Sequence, residues 1–260
     1  MNQEKKAILV VSFGTSFEHT RKKTIDAIEG DIKKVFKDYT VYSAWTSNMI
    51  LKKILHRDGV KRNTITEAME TILKDGFKEV LVAPTHILNG IENDLMKKDA
   101  LAFSHQFDSI TFSDPLLTST EDLHHVIKTI STEYSHLDKD TALVFMGHGT
   151  NHYVNPVYAA LDYMFKASGH PEIFIGTVEA YPELDLLIEH VKSYAPKKIC
   201  LAPFMIVAGD HAENDMASDE PDSWKIRFQK EGYEVNCNLI GLGEYQGIRD
   251  LFLEHIRTAL

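Results

Sequence analysis

Residues 78–90 read KEVLVAPTHILNG and residues 197–209 read KKICLAPFMIVAG, and the two stretches superpose without a gap. Each has a charged lead-in, an apolar run closing on Ala-Pro, and a loop that ends at glycine. Both are followed by Glu-Asn-Asp, at 92–94 and at 213–215. Outward from this pair, SFGTS (12–16) matches GHGTN (147–151), and SDPLL (113–117) stands where IGLGE (240–244) stands. Any one match arises easily by chance. Several in the same order indicate a duplicated unit.

The period of each segment supplies the unit's content. Strand-like runs AILVVSF (7–13), TVYSAW (40–45), KEVLVAP (78–84) and SITFS (109–113) alternate with helical stretches at 18–36, up to 74, 92–103 and 120–134. In the first of these helices Ile25, Ile28, Ile32 and Val35 fall on one face. The series restarts with TALVFM (141–146), EIFIGTV (172–178), KKICLAP (197–203) and EVNCNLI (234–240). Helices are expected at 156–168, 183–194, 212–231 and 245–258. Strand–helix alternation implies parallel sheets covered by helices. The expected fold class is α/β: two similar doubly wound, parallel four-stranded domains with a cleft between them. They are placed at 1–137 and 138–260, joined near the polar YSHLDKD (134–140).

Composition narrows the function classes. The 260 residues are 43% hydrophobic and 25% charged, enough for a core without staples. A formal net charge of −10 disfavours nucleic acid, which needs a basic footprint. Cys200 and Cys237 lack CxxC spacing, so neither a thiolate metal site nor a disulfide framework is indicated. The opening MNQEKKAILVVSFGTS is too short for a signal h-region or membrane span, and a cytoplasmic protein is expected. There is no GxGxxG, GxxxxGK[ST] or GxSxG, so no nucleotide cradle or acyl-transfer serine is supported.

The chemistry gathers at strand ends. In ALVFMGHGTNHYVN (142–155), His148 stands between two glycines just past the first strand of the second domain. Glu179 follows the second strand of that domain and His211 follows the third. Alone, each has an ordinary explanation: a capping histidine, an acid on a helix N-terminus, a solvated loop. Together they leave one edge of one sheet, where parallel α/β sheets bind ligands. Two imidazoles and a carboxylate suit Co²⁺, Fe²⁺, Ni²⁺ or Zn²⁺ and leave a coordination position open. In the repeat His148 faces Phe13, Glu179 faces Thr46, and His211 faces Glu92, the last only approximately because the Glu-Asn-Asp match needs two inserted residues. The first domain therefore lacks the ligand set and offers Glu92 as a carboxylate toward the cleft. His86 is expected to be a satisfied core histidine, and His124-His125 lie in a helix where only one can face a shared point. His19, Arg21, Lys22 and Lys23 read as a solvated helix face.

GHGT followed some sixty residues later by PFMIVAGDHAENDMASDEPDSW (203–224) resembles the class II tetrapyrrole chelatases, the anaerobic cobalt chelatases of the CbiK type above all. The likeness runs over essentially the whole chain. It implies a ferrochelatase-like pair of α/β domains and insertion of Co²⁺ into sirohydrochlorin or precorrin-2, in anaerobic cobalamin biosynthesis, without nucleotide hydrolysis. It marks His148 and His211 as metal-binding, Glu179 as a third ligand, and Glu92 as a catalytic carboxylate. His148 is also a candidate to take a pyrrole proton, in succession to its ligand role or shared with Glu92. Cobalt is thus a substrate, no nucleotide or organic cofactor is implied, and a homo-oligomer is left open. The substrate is a polycarboxylate, so Arg21, Lys22, Lys52, Lys53 and Arg57 are candidates to receive it. The rival readings are a sirohydrochlorin ferro- or nickel chelatase, a non-catalytic metal or tetrapyrrole carrier, and, third, a zinc hydrolase without an HExxH helix.

Overall fold

The computed structural model describes residues 6–260; residues 1–5, which open the segment read above for an export signal, lie outside the described residues. Eight strands alternate with helices in the expected order. They are β1 (Lys6–Ser12), β2 (Tyr39–Trp45), β3 (Glu79–Pro84), β4 (Ser109–Phe112), β5 (Thr141–Gly147), β6 (Ile173–Thr177), β7 (Lys198–Pro203) and β8 (Glu234–Cys237). The helices are α1 (Glu18–Lys23), α2 (Ile25–Val35), α3 (Asn48–Asp58), α4 (Ile65–Lys74), α5 (Ile91–Leu101), α6 (Thr120–Glu133), α7 (Val157–Ala167), α8 (Leu184–Tyr194), α9 (Trp224–Lys230) and α10 (Gln246–Ala259).

Two four-stranded sheets result, ordered β2-β1-β3-β4 and β6-β5-β7-β8, with every pairing parallel. In each, the order reverses beside the first strand of the series, which makes the carboxyl ends of β1/β3 and β5/β7 the topological switch points. The central strands are buried on both faces, so they read as unbroken apolar runs; all seven residues of β5 are buried. In the first sheet Leu9, Val11 and Val82 pack with Met69 and Ile72 of α4 and Met96 of α5. In the second, Val144, Met146 and Leu201 pack with Leu187 and Val191 of α8 and Phe228 of α9. Each such side chain contributes about 1.5–3 kcal/mol by leaving water.

Several expected elements are interrupted, each for a local reason. The helix expected over 18–36 breaks at Thr24, whose hydroxyl bonds back to the Thr20 carbonyl at 2.7 Å and whose backbone leaves helical values. Ile25, Ile28 and Ile32 are buried as the period requires, but Val35 at the last turn is exposed. The helical stretch reaching 74 divides into α3 and α4 because Gly59 ends α3 in the left-handed region, φ +67°. The helix expected over 212–231 is instead one π-helical turn (Ala212–Met216), a loop, and α9.

Among the described residues the chain forms two compact units, residues 6–118 with 249–260, and residues 119–248. This grouping differs from the division at 137/138, which marks where the strand series restarts. Helix α6 groups with the second unit, and the residues from Arg249 onward group with the first. Within the first unit Arg249 pairs with Asp31 of α2 at 2.8 Å, and His255 Nδ1 lies 3.1 Å from the Asp114 carbonyl.

Candidate metal centre

Backbone hydrogen bonds lay out both sheet edges in the same way, which makes positions in the two series directly comparable. Ser47 N donates to Phe13 O as Glu179 N donates to His148 O, and Thr46 N donates to Ser12 O as Val178 N donates to Gly147 O. Phe13 is therefore the counterpart of His148, as expected. The counterpart of Glu179, however, is Ser47, one residue beyond the Thr46 read from sequence. An ungapped alignment carries no turn geometry and slips easily by one. Ser47 caps α3, its hydroxyl accepting from Ile50 N at 3.4 Å. At the third strand, Asp94 N donates to Gly90 O and Glu213 N donates to Gly209 O, both at 3.0 Å. No residues are inserted up to that point. Glu92 and His211 are true counterparts, and the two Glu-Asn-Asp triplets are not.

The glycines around His148 have steric causes. A Cβ on Gly147 would come within 2.7 Å of the buried Tyr158 ring. Gly149 has φ +83°, and a Cβ there would sit 2.9 Å from Ala180 N and from Thr177 Cβ. The strand-end turn at His148 thus closes directly against the loop that carries Glu179. That loop is fixed in turn. Thr177 donates to the Ala180 carbonyl at 2.5 Å through its hydroxyl and to the Pro182 carbonyl at 2.7 Å through its backbone N–H. Asn155 ties the two loops, accepting from Thr150 N at 3.0 Å and donating to the Tyr181 carbonyl at 2.6 Å.

The structure brings His148, Glu179 and His211 together: one ligand atom from each lies within 4.8 Å of the others. His148 Nε2 is 3.8 Å from Glu179 Oε1. The two imidazoles meet edge to face, ring centres 4.8 Å apart and planes at 87°. His148 Nδ1 lies 2.8 Å from the Gly149 carbonyl, so it donates there and leaves the Nε2 lone pair for a cation. His211 Nδ1 lies 2.5 Å from Asp215 Oδ2, four residues on, and again Nε2 is left. This is the carboxylate–histidine pairing that fixes tautomer and ring orientation at metal sites. Metal–donor bonds of about 2.0–2.2 Å need donors roughly 3.4 Å apart in a tetrahedral set, a spacing that the His148–Glu179 pair at 3.8 Å already approaches. His148 and Glu179 are half-exposed, with side chains at 47% and 57%, which leaves the ion's remaining positions open to another molecule.

Glu92 is partly buried on the first turn of α5 in the first unit. His86, expected to be satisfied, is buried (8% exposed), yet neither ring nitrogen has a hydrogen-bond partner. His125 Nε2 lies 3.0 Å from the Gly247 carbonyl, a structural role. His19, Lys22 and Arg57 line a cavity of about 450 Å³ in the first unit with Ser16, Phe17 and Glu18. The two candidate cations there already meet acids, Lys22 with Glu18 at 2.8 Å and Arg57 with Asp58 at 2.7 Å; outside that lining, Arg21 meets Asp26 at 3.1 Å. Both cysteines are free thiols, and burial pushes Cys200 up to about 11, so it offers no thiolate at neutral pH. Sequence reasoning missed Asp215 and Asn155. Asp215 was detectable as an acid one helical turn beyond His211; Asn155 acts through a loop contact with no sequence signature.

Known proteins match nearly the whole chain. The family model described as cobalt chelatase (CbiK) matches residues 6–260. The sirohydrochlorin cobaltochelatase of Salmonella typhimurium is 39% identical over 256 residues, covering 98% of this chain and 97% of the relative. Sirohydrochlorin cobaltochelatase CbiKC of Nitratidesulfovibrio vulgaris is 29% identical over 262 residues, covering 98% and 91%. Among solved structures, the cobalt complex of the sirohydrochlorin chelatase SirB of Bacillus subtilis subspecies spizizenii aligns with a TM-score of 0.69 at 15% identity, over 98% of this chain and 95% of that one. At that identity the likeness is one of fold. No helix among the described residues is long and apolar enough to cross a membrane.

Proposed function

The chain belongs to the cobalt chelatase (CbiK) family, and on that premise we propose that it inserts Co²⁺ into sirohydrochlorin, with His148, Glu179 and His211 delivering the ion and Glu92 handling pyrrole protons. The observation that carries the reading is the meeting of three donors from three separate strand ends within 4.8 Å. The cobaltochelatase relatives, aligned over nearly their whole length, supply the substrate.

The donor set suits the task. Metallating a macrocycle strips water from a divalent ion, removes two pyrrole protons and passes the ion to four nitrogens. Imidazole donors hold a borderline ion while allowing its release, and the half-exposed ligands let the ring approach. His148 binds through Nε2 and commits Nδ1 to the Gly149 carbonyl, so it has no free nitrogen for a proton while the ion is bound. On this reading the pyrrole protons go to Glu92, with His148 taking part in succession, once the ion has left. Cytoplasmic action without a nucleotide is part of the same proposal.

Anaerobic incubation with sirohydrochlorin and Co²⁺, with no nucleotide added, is the test, followed by the ring's absorbance. His148→Ala and His211→Ala should abolish insertion with the fold intact; near wild-type rates in either would refute the assignment. The same donors suit Fe²⁺ and Ni²⁺. Parallel assays with the three ions decide between a cobalt chelatase and a ferro- or nickel chelatase. Stoichiometric binding without turnover would make the protein a carrier.

A further inference from the structure

The two sheet edges are built alike but lined differently. Thr85 N donates to Val11 O as Phe204 N donates to Met146 O, and Leu116 N donates to His86 O as Leu242 N donates to Met205 O. By these counterparts, Ser12, Thr85, His86, Asn89 and Asn93 of the first unit correspond to Gly147, Phe204, Met205, Ala208 and Ala212 of the second. One edge carries five polar side chains where the other carries none. Six buried side-chain atoms lack a hydrogen-bond partner among the described residues, and all six are in the first unit. Three of them are His86 Nδ1, His86 Nε2 and Asn93 Oδ1. Asn93 is fully buried.

An unpaired buried polar group costs stability, and an apolar group of the same shape removes that cost. The second unit shows that this backbone accepts the apolar set. A cost retained on one side only marks a functional position. The position is telling: Asn93 is the residue after Glu92 on the first turn of α5. The N-cap of α5 is Gly90, with no side-chain cap. The turn is tied down by Asn93 Nδ2 donating to Asn89 Oδ1 at 3.0 Å, and by Asn89 Nδ2 donating to Thr118 Oγ1 at 2.9 Å. His86 lies beside Asn93, near enough to feel its amide, but no hydrogen bond of normal geometry joins them. In the second unit the same task falls to Asp215, which fixes His211 directly.

We propose that His86 and Asn93 are positioning residues for Glu92, holding the first turn of α5 so that the Glu92 carboxylate meets the pyrrole protons. This rests on the chelatase reading of Glu92. The test borrows the second unit's own residues, in the paired variant His86→Met with Asn93→Ala. Its melting temperature should be no lower than wild type, and its KM for Co²⁺ should stay within about twofold. Its kcat for insertion should fall roughly 10- to 100-fold, the scale of a 1 Å misplacement of a catalytic group. In a Glu92→Gln background the same pair should cost nothing further, because residues acting through one group are not additive. An unchanged kcat, or an equal loss with and without Glu92, would overturn the inference. Should the paired variant not fold, Asn89→Ala removes the acceptor for Asn93 from a half-buried position and is to show the same dependence on Glu92. A Glu92→Gln enzyme that metallates at the wild-type rate would instead sink the role of Glu92 itself.

Discussion

Asp215→Ala tests how the metal centre is held. In the structure His211 Nδ1 donates to Asp215 Oδ2 at 2.5 Å, and this bond selects the tautomer that presents Nε2 to the ion. Losing such a partner typically costs 10- to 100-fold in metal affinity or activity, about 1.4–2.8 kcal/mol. The side chains of His211 and Asp215 are 35% and 45% exposed, so water competes for the bond and weakens the charge term. The expected loss therefore lies at the low end, about 10-fold in Co²⁺ affinity. Co²⁺ titration against a competing chelator measures it directly, and kcat/KM for Co²⁺ should fall in parallel. Asp215→Asn retains a carbonyl acceptor and should recover most of the loss. An Asp215→Ala variant that binds Co²⁺ within twofold of wild type would refute the claim that this carboxylate orients His211. Equal losses in the Ala and Asn variants would mean that charge, not orientation, is what Asp215 supplies.

Gly149→Ala places a Cβ 2.9 Å from the backbone of the Glu179 loop at φ +83°, so it should cost at least about 1–2 kcal/mol and weaken Co²⁺ binding together with stability. Thermal melts and cobalt titration check both; a variant with unaltered affinity would show that the turn tolerates a shift. His86 is held neutral, its pKa pushed down to about 4 by burial with Asn93 opposing. The unfolded chain then takes up a proton between about pH 6.5 and 4 where the native state does not, so stability falls as pH drops through that window. His86→Met lacks this contribution, and its melting temperature should gain on wild type between pH 7 and pH 5; a constant gap would contradict the sign. Removing metal with a chelator should leave the protein folded, because the second sheet's core is held by apolar side chains and the ion is substrate, not scaffold; loss of the helical circular dichroism signal on chelation would contradict this.

What the sequence by itself determined was the repeat, the α/β class and the strand ends from which the chemistry projects. Central parallel strands are apolar on both faces, so VLVAP and ICLAP are legible without a structure, and their loops follow at fixed spacing. Those strand ends singled out His148, Glu179 and His211, the repeat added Glu92, and family likeness then suggested their roles. Register at the loops was not legible, and Glu179 moved from opposite Thr46 to opposite Ser47 because only backbone hydrogen bonds define equivalence there. Tertiary structure alone decided which nitrogen each histidine offers, that Asp215 stands behind one of them, and that His86 is buried with no partner. It also decided the grouping of α6 with the second unit and of the chain beyond Arg249 with the first. The reason is physical: period and composition encode which face of an element is buried, whereas tautomers, loop contacts and helix exchange depend on atoms brought together from distant parts of the chain.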